Sequence, residues 1–349
     1  MNSKKQIFIL FLPIMMILSS CQNKSSAELP SADKTAQLLG TVITAKAYGD
    51  NAKVALDIAF DRVQAIENRM SRYKDGSEID LINQNAGGEA VSISPDTYFV
   101  IKTALDYAEK TNGAFNPLIG DIVDLWGIGT ENASVPSADE LNNFLPYIAY
   151  TQLELTENPY TAKLTSNKAK LDLGAIAKGY AADEMRDVLL EQGITSALLN
   201  LGGNVIVLGS KPGADLWSIG VQDPLAADRG DIAAVLKAKN TSVVTSGSYE
   251  RFFELEGVRY HHIMDPFTGS PAQNGVISST IITPNSTDAD ALSTSVYVLG
   301  KDKGLALLES LPNVEGVIIT EDLHVYTTSG ITDDFFTIRN EDFVYEKSR

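Results

Sequence analysis

Apolar and polar residues alternate along this chain with two periods, one typical of helices and the other of strands. Over residues 53–70 apolar side chains return to one face every three or four positions, which predicts a helix. Over residues 39–47 the β-branched composition predicts a strand. The other predicted helices span 95–108, 138–143, 176–192, 288–298 and 302–310, and the other predicted strands span 151–156, 169–173, 197–201, 205–208, 216–222, 241–245, 276–283 and 315–328. This alternation predicts an α+β, or mixed α/β, fold whose strand order the pattern does not specify.

The N-terminus has a different pattern, an unbroken apolar run. Two lysines precede apolar residues 7–18, a run too short for a typical transmembrane helix, and small residues then lead to Cys21, the only cysteine. This is typical of a bacterial lipoprotein signal, so residues 1–20 are predicted to be the signal peptide and Cys21 the lipidated N-terminus. Residues 21–35 are expected to form a flexible tether and residues 36–349 the folded domain. The expected location is therefore membrane-anchored and facing the periplasm.

The net charge of the chain limits the classes of molecule that it can bind. The chain has a formal net charge of −17, and without the signal peptide, which has two lysines and no acidic residue, the charge is −19. Such a surface repels nucleic acid, so no nucleic-acid partner is expected. If the substrate is an anion, the site must supply positive charge from a metal ion, a lysine or a helix N-terminus.

Two of the three histidines stand in one short segment, His-His-Ile-Met-Asp-Pro-Phe-Thr-Gly at 261–269. Histidine can accept a proton near neutral pH, and Asp-Pro with Thr-Gly favours a tight turn around it, as in a catalytic loop. A polar turn between two strands explains the same residues if the segment acts alone.

A second segment, Leu-Asp-Leu-Gly-Ala-Ile-Ala-Lys-Gly-Tyr at 171–180, predicts a strand that passes through a glycine turn into a helix. Free N–H groups and the positive helix end there favour an anion, and Lys178 in the first turn adds a full charge. The alternative is a surface lysine whose stem packs on the protein. The spacing matches neither a Walker loop nor a Gly-x-Gly-x-x-Gly motif.

A third candidate is a pair of oxygen ligands. Asp290 and Thr294 lie one helical turn apart on the same face, so a carboxylate and a hydroxyl could bind one hard cation. An acidic residue that complements the helix dipole is the alternative, and it is the better account of Asp288.

Two aromatic clusters could bind a flat ring. The segment at 70–79 begins Met-Ser-Arg-Tyr, and Tyr73 could pack against a ring, although a helix end followed by a cap explains it equally well. At 113–117, Gly-Ala-Phe-Asn-Pro could expose an aromatic ring for stacking, but an ordinary Asn-Pro turn is the favoured account.

Taken together, these segments resemble the ApbE family, the FAD:protein FMN transferases. Seven motifs occur in the order seen in that family, from about residue 39 to the C-terminus. They are Met-Ser-x-Tyr-x-x-x-Ser-Glu-Ile, Gly-x-Phe-Asn-Pro with Trp-Gly, Leu-Asp-Leu-Gly-x-Ile-Ala-Lys-Gly-Tyr, Leu-Gly-Gly-Asn, Thr-Ser-Gly-x-Tyr-Glu-Arg, His-Ile-x-Asp-Pro-x-Thr-Gly and Ala-Asp-Ala-Leu-x-Thr.

The resemblance implies an ApbE-like fold, with sheets flanked by helices and FAD bound in a cleft between lobes. It implies Mg²⁺-dependent transfer of FMN from FAD to a Ser or Thr hydroxyl of an acceptor redox protein, with release of AMP. By motif, His262 would be the base, because it stands three residues before Asp265, and His261 a supporting or surface residue. The implied FAD contacts are Leu39, Tyr73, Ala114, Phe115, Asn116, Asp172, Lys178 and Ile263. The implied Mg²⁺ ligands are the Ala175 carbonyl and the side chains of Asp290 and Thr294.

Some residues depart from the family pattern. Asn116 stands where many relatives have Asp, Leu118 where many have Thr, and Leu39 replaces a Met. An aromatic residue at the position of Tyr73 is associated in the family with transfer rather than hydrolysis. Two alternatives stay open, an FAD pyrophosphatase that forms FMN and AMP, and a flavin-binding lipoprotein without enzymatic activity.

Overall fold

The computed structural model of the chain describes residues 29–226 and 230–347. The predicted signal peptide, Cys21 and the first part of the predicted tether lie outside the described residues, so those assignments stay predictions. In the part that is described, no helix combines the length and the apolar composition needed to cross a membrane.

The described elements alternate along the chain. The strands are β1 Ser31–Leu38, β2 Thr41–Tyr48, β3 Val91–Ser92, β4 Leu153–Thr156, β5 Thr161–Leu164, β6 Ser196–Leu201, β7 Asn204–Leu208, β8 Trp217–Gln222, β9 Ile232–Ala238, β10 Thr241–Gly247, β11 Phe252–Leu255, β12 Val258–His261, β13 Met264–Asp265, β14 Ser270–Pro271, β15 Val276–Thr283, β16 Glu315–Thr320, β17 His324–Thr327, β18 Phe336–Ile338 and β19 Val344–Lys347. The helices are α1 Ala52–Met70, α2 Glu78–Gln84, α3 Pro95–Lys110, α4 Gly120–Trp126, α5 Ala138–Phe144, α6 Ala177–Glu191, α7 Ser286–Leu299 and α8 Lys301–Glu309.

A large sheet forms the centre of the fold. Its strand order is β1-β2-β6-β7-β10-β15-β16-β17-β19. Its neighbouring strands are antiparallel, except for the parallel pair β17 and β19. The class predicted from the alternation of helices and strands, mixed α+β, is confirmed.

Helices cover one face of this sheet. The apolar face of α1 buries Leu56, Phe60, Val63 and Ile66, because these side chains recur at helical spacing. Helix α6 packs between α1 and α7, and α7 lies on β10 and β15. The largest cluster of buried apolar residues fills this layer, so the helix termini near 177 and 286 are fixed against each other.

A smaller sheet covers the opposite face. Strands β8, β9 and β18 form it, and Trp217, Leu236 and Phe336 pack against Val243 and other buried residues of the large sheet. The alternating burial of β8 follows from this arrangement, since one of its faces meets the core and the other meets solvent.

A third apolar cluster lies beside the main layers. Trp126 of α4 packs with Ile122, Ile148 and Met264, and its ring lies 5.5 Å from the ring of Tyr260 in β12. This cluster fixes the two short hairpins, β11–β12 and β13–β14, that carry the 261–269 segment.

Four predictions of local structure are wrong in detail. Residues 31–35, assigned to a tether, belong to β1, whose positions alternate between exposed and half-buried up to the buried Leu38. Leu39 is in a turn, since it and Gly40 have φ of 52° and 67°. In 169–173 only Lys170 makes an isolated bridge, and the apolar alternation reflects a buried segment without a ladder. The strand predicted at 315–328 is two strands, β16 and β17.

Candidate active site

The two adjacent histidines differ in what their rings contact. The Nε2 atom of His261 lies 3.0 Å from the Ala272 carbonyl oxygen, and its Nδ1 accepts from the Ile263 N–H at 3.3 Å. The side chain is buried, and burial lowers its pKa to about 4. With both ring nitrogens engaged, His261 supports the loop and is not at the surface.

His262 has one ring nitrogen held and one available. Its backbone N–H donates to the Arg251 carbonyl oxygen at 3.1 Å, and its Nδ1 lies 3.3 Å from the same oxygen. Because a carbonyl oxygen can only accept, we assign the ring proton to Nδ1 and the lone pair to Nε2. Burial lowers the pKa of His262 to about 4, and the positive charge of Arg251 contributes. The imidazole is therefore neutral near pH 7 and can accept a proton.

Asp265 forms the turn after the histidines. Its Oδ1 accepts from the Phe267 N–H at 2.8 Å, and its carbonyl oxygen accepts from the Gly269 N–H at 2.8 Å. Gly269 has φ of 68°, and its carbonyl oxygen accepts from Trp126 Nε1 at 2.7 Å. The Asp-Pro-x-Thr-Gly motif is thus a structural turn anchored to the third apolar cluster.

Lys178 and Asp290, predicted to bind an anion and a cation separately, contact each other. Lys178 Nζ lies 3.0 Å and 3.2 Å from the two carboxylate oxygens of Asp290 and 3.2 Å from the Gly174 carbonyl oxygen. The Gly179 N–H donates to Asp290 Oδ2 at 2.9 Å. Only 4% of the Asp290 side chain is exposed. A buried carboxylate of this kind needs a cation and N–H donors to be stable.

The glycine beside Lys178 allows α6 and α7 to meet. A Cβ atom on Gly179 would lie 2.3 Å from the Ser286 carbonyl oxygen and 2.8 Å from Asp290 Cβ. Any larger residue would push the two helices apart. The Gly179 position therefore sets the distance between the Lys178 turn and the Asp290 carboxylate.

Asp183, which the sequence analysis missed, fixes the start of α7. Its carboxylate accepts from the N–H groups of Ser286 and Thr287 at 2.9 Å and 2.8 Å and from Thr287 Oγ1 at 2.6 Å. Arg186 donates to it at 2.8 Å. A carboxylate on a helix N-terminus is a favourable cap, here supplied by another helix. We call Lys178, Gly179, Asp183 and Asp290 the α6–α7 junction.

The residues of the junction fit a hard divalent cation. Asp290 offers a buried carboxylate, and the half-buried Thr294 lies one turn further along α7. The ammonium of Lys178 already bridges Asp290 and the carbonyl of Gly174, the residue before Ala175. Carboxylate, carbonyl and hydroxyl oxygens are the ligands that Mg²⁺ and Ca²⁺ prefer.

An ion-pair network that the sequence analysis missed lies before α6. Arg72 Nε and Nη2 lie 2.7 Å from Asp172 Oδ2 and Asp124 Oδ1, and Lys170 Nζ lies 2.5 Å from Asp124 Oδ2. The other Asp172 oxygen accepts from the Gly174 N–H at 2.7 Å. Asp172 thus orders the glycine turn, and its role toward FAD stays a prediction.

Tyr73 presents its ring to solvent. It is 75% exposed, and the guanidinium of Arg72 lies 4.2 Å from its ring centroid and donates to its hydroxyl. One face of an exposed, well-supported ring is available to pack on another flat ring.

The 113–117 turn does not expose an aromatic ring, which was the less favoured of the two accounts of this segment. Phe115 is buried in the main core, 6.3 Å from the Tyr107 ring, because the preceding helix turns it inward. Asn116 Nδ2 donates to the Ile148 carbonyl oxygen at 2.8 Å, and its Oδ1 accepts from the Leu118 N–H at 2.9 Å. The ring of Phe115 cannot stack on a ligand in this conformation, which leaves the favoured account, an ordinary Asn-Pro turn.

Two further residues implied as FAD contacts are also buried. The side chains of Ala114 and Ile263 belong to the apolar interior. A contact with FAD from either residue would have to use the backbone or a small part of the side chain.

The turn at Leu39 is joined to the histidine segment by Arg251. The Leu39 N–H donates to Glu67 Oε1 at 3.0 Å, and Arg251 Nη2 donates to the Gly40 carbonyl oxygen at 2.9 Å. The Arg251 side chain also passes 3.8 Å from the Cβ position of Gly129. Arg251 is the last residue of the Thr-Ser-Gly-x-Tyr-Glu-Arg motif, which was the signal that could have identified it.

The charge of Arg251 acts on two of the predicted site residues, His262 and Tyr73. The pKa of His262 is lowered by burial and by the charge of Arg251, and the charge of Lys178 lowers it further. The charge of Arg251 also acts on the Tyr73 hydroxyl. We call Tyr73, Arg251 and His262 the open face, because Tyr73 and Arg251 are exposed and His262 is half-buried.

A neutral histidine, a lysine and a buried carboxylate on one α+β scaffold are the parts of an enzyme that transfers a phosphoryl-type group. The class is narrowed by the sequence comparison. The chain belongs to the ApbE family, whose model matches residues 39–318.

Curated relatives have the same name in several bacteria. The FAD:protein FMN transferase of Treponema pallidum (strain Nichols) is 38% identical over 338 residues, which cover 92% of each chain. The FAD:protein FMN transferase of Klebsiella pneumoniae (strain 342) is 36% identical and aligns with 84% of this chain and 91% of its own.

Solved structures have the same fold. The ApbE protein from Thermotoga maritima superposes with a TM-score of 0.79 at 33% identity, covering 86% of this chain and 97% of that one. The flavin transferase ApbE from Vibrio cholerae superposes with a TM-score of 0.76 at 27% identity, covering 90% and 98%.

Proposed function

We propose that this protein is an FAD:protein FMN transferase that moves the FMN half of FAD to a Ser or Thr hydroxyl of an acceptor redox protein. The observation that carries the proposal is His262, a neutral imidazole with Nδ1 held by the Arg251 carbonyl and within reach of the charge of Lys178. The names of the curated relatives support the same activity.

In the proposed reaction His262 Nε2 takes the proton of the acceptor hydroxyl. The hydroxyl oxygen forms a bond to the phosphorus of the FMN half, and the bond between that phosphorus and the bridging pyrophosphate oxygen breaks, so the bridging oxygen stays with AMP. AMP leaves with the bonding electron pair. A general base is needed because a Ser or Thr hydroxyl is a weak nucleophile when protonated.

The pyrophosphate needs positive charge at the same time. Lys178 supplies an ammonium, and Asp290, Thr294 and the Ala175 carbonyl would hold Mg²⁺. Bound Mg²⁺ would neutralise charge on the phosphoryl oxygens. The burial of Asp290 and its N–H donor from Gly179 support this assignment, since they hold the carboxylate in one orientation.

FAD would contact several residues around the open face. The exposed ring of Tyr73 would pack on a flat ring of FAD, and Lys178 and Asp172 would bind its polar parts. Leu39, Ala114, Phe115, Asn116 and Ile263 complete the proposed FAD site, in a cleft between lobes. For Phe115 and Asn116, whose side chains have protein partners, the contact would come from the backbone.

We also propose that the protein is anchored to the membrane. Residues 1–20 are the signal peptide of an exported lipoprotein, and lipid on Cys21 anchors the domain to the membrane on the periplasmic side. Mass spectrometry of the mature N-terminus should find diacylglycerol on Cys21. The Cys21→Ser protein should move to the soluble fraction, and a Cys21→Ser protein that stays in the membrane would contradict the anchor.

Transfer and hydrolysis are separated by one experiment. The purified protein is incubated with FAD and Mg²⁺, with and without a candidate acceptor, and the products are separated by chromatography and denaturing gel. We expect AMP to form in equal amount to a fluorescent acceptor band. FMN and AMP that accumulate equally without acceptor would support the pyrophosphatase instead, and no turnover of FAD at all would support a flavin-binding lipoprotein.

A further inference from the structure

The Lys178–Asp290 contact is a feature that a phosphate-binding lysine does not require. The ammonium lies within 3.2 Å of both carboxylate oxygens and of the Gly174 carbonyl oxygen. These are oxygens from the carboxylate and from the turn that the proposed cation site uses. In this conformation Lys178 points toward the cation position and not toward an incoming anion.

Electrostatics explains why the lysine lies there. The Asp290 carboxylate is almost fully buried, and its other donor is the single N–H of Gly179. A buried carboxylate without a cation is costly, so in the absence of a metal the nearest ammonium stabilises it. An ammonium and a divalent ion cannot both occupy the same oxygens, because their charges repel at such a short distance.

The charges of the site balance in two states. With Lys178 on Asp290, one positive and one negative charge cancel. A divalent cation alone would leave the site with excess positive charge. A divalent cation together with the doubly negative pyrophosphate of FAD restores the balance and gives the displaced ammonium a phosphate partner.

We propose that Lys178 occupies the cation position of the ligand-free protein and leaves it when a divalent cation and the pyrophosphate of FAD bind together. This inference rests on the proposed function, because it takes FAD as the substrate. It makes metal binding weak in the free protein and strong in the presence of FAD. By linkage, the metal strengthens FAD binding by the same factor.

The test is a titration of ligand-free protein with Mn²⁺ at pH 8. Electron paramagnetic resonance measures the free ion and so gives the affinity. We compare wild type with Lys178→Met and with Lys102→Met, a control that removes a lysine paired with the exposed Asp106. Lys178→Met should bind Mn²⁺ at least about tenfold more tightly than wild type, since the competing cation is gone. Lys102→Met should change the affinity by less than about twofold.

FAD provides the second arm of the titration. FAD should raise the Mn²⁺ affinity of both proteins, because its pyrophosphate is negative, but the increase should be at least about threefold larger in wild type than in Lys178→Met, where no ammonium has to be displaced. Equal or weaker Mn²⁺ binding by ligand-free Lys178→Met would overturn the inference, as would an FAD effect of the same size in both proteins.

A measurement on wild type covers the case in which Lys178→Met does not fold. Peptide mass spectrometry follows acetylation of Lys178 by acetic anhydride. Saturating Mg²⁺ alone should raise the acetylation rate, because it releases the ammonium, and Mg²⁺ with FAD should lower it again. A rate unchanged by Mg²⁺ alone would overturn the inference.

Failure of the inference and failure of the proposed function give different results. If Lys178→Met binds Mn²⁺ no more tightly than wild type while wild type still flavinylates an acceptor, Lys178 does not occupy the cation position, but the proposed transferase activity is supported. If Lys178→Met binds Mn²⁺ more tightly and no acceptor is ever labelled, the position of Lys178 is supported and the proposed transferase activity is wrong.

Discussion

The α6–α7 junction and the open face hold their polar groups in opposite ways. At the junction, Asp183 and Asp290 are buried, and both carboxylates accept from backbone N–H groups and from a cation. On the open face, Tyr73 is exposed and His262 has a single carbonyl partner for its ring. Changes at the junction should therefore affect both stability and chemistry, whereas changes on the open face should affect the reaction alone.

Asp290→Asn should have the largest effect. The neutral amide keeps the shape of the side chain but removes the charge that we propose holds Mg²⁺, so transfer should fall on the order of 10³-fold or more. Rates of acceptor flavinylation at saturating Mg²⁺ measure this. The matched control is Asp288→Asn on the same helix, which loses its charge and one of the two oxygens that accept from the Tyr107 hydroxyl and Asn285 Nδ2, and which should change the rate less than about threefold. Equal losses in both variants would remove the special role of Asp290.

His262→Ala should come next, with kcat lowered about 10²- to 10³-fold by loss of the proposed base. The melting temperature should stay close to wild type, in contrast to a junction variant. His324→Ala, in β17, is the control and should keep wild-type kcat. A His262→Ala protein that transfers FMN at the wild-type rate would show that this imidazole is not the base.

Gly179→Ala tests the junction by packing alone. The added methyl group meets the Ser286 carbonyl, so α7 must shift, at a cost of about 1–3 kcal/mol in the free energy of unfolding. Denaturant unfolding measures the cost, and flavinylation should fall with it because Asp290 moves. Gly213→Ala, at an open turn with no neighbour near the Cβ position, is the control for methyl addition, although its positive φ adds some strain of its own. Unchanged stability and activity in Gly179→Ala would contradict the close approach.

Tyr73→Ala should raise the KM for FAD about five- to tenfold, because the proposed stacking contact with a flat ring of FAD is lost. Tyr73→Phe keeps the ring and should stay near wild type. Neither change should alter the melting temperature, since the ring is 75% exposed. A lower melting temperature in Tyr73→Ala would show that this residue also stabilises the fold, as the junction residues do. It would contradict the expected difference between the two regions.

Lowering the pH from 8 to about 5.5 should have the smallest effect on activity. A base must be unprotonated, and the pKa of His262 is lowered to about 4, so activity should be constant from pH 8 down to about 5.5 and be lost as the pH falls through 4. Far-ultraviolet circular dichroism at each pH separates this loss from unfolding. Half-maximal activity near pH 6.5, with the protein still folded, would contradict the lowered pKa.

The sequence predicts the helices better than the turns. Helix α1 is evident because its buried residues recur at helical spacing, and α6 and α7 because apolar runs follow glycine and acidic starts. Strand β1 is not evident from the sequence because exposed polar residues alternate with half-buried ones and only Leu38 is buried. The inward direction of Phe115 depends on the packing of α3, which no local pattern specifies.

The motifs predict the residue types of the site but not their pairing. Lys178 and Asp290 are 112 residues apart, and only the meeting of α6 and α7 brings them into contact. Asp183 has no motif of its own, because it looks like an ordinary helical acidic residue until α7 is seen to start on it. Long-range contacts of this kind depend on the strand order, which the alternation of apolar residues leaves open.

We have proposed that His262 lets this protein attach FMN to another protein. The most direct measurement is the intact mass of a candidate acceptor after incubation with FAD, Mg²⁺ and either wild type or His262→Ala. We predict that wild type adds the mass of one FMN phosphoester to a Ser or Thr and that His262→Ala adds almost none in the same time. An acceptor of unchanged mass while wild type still converts FAD to FMN and AMP would contradict the claim.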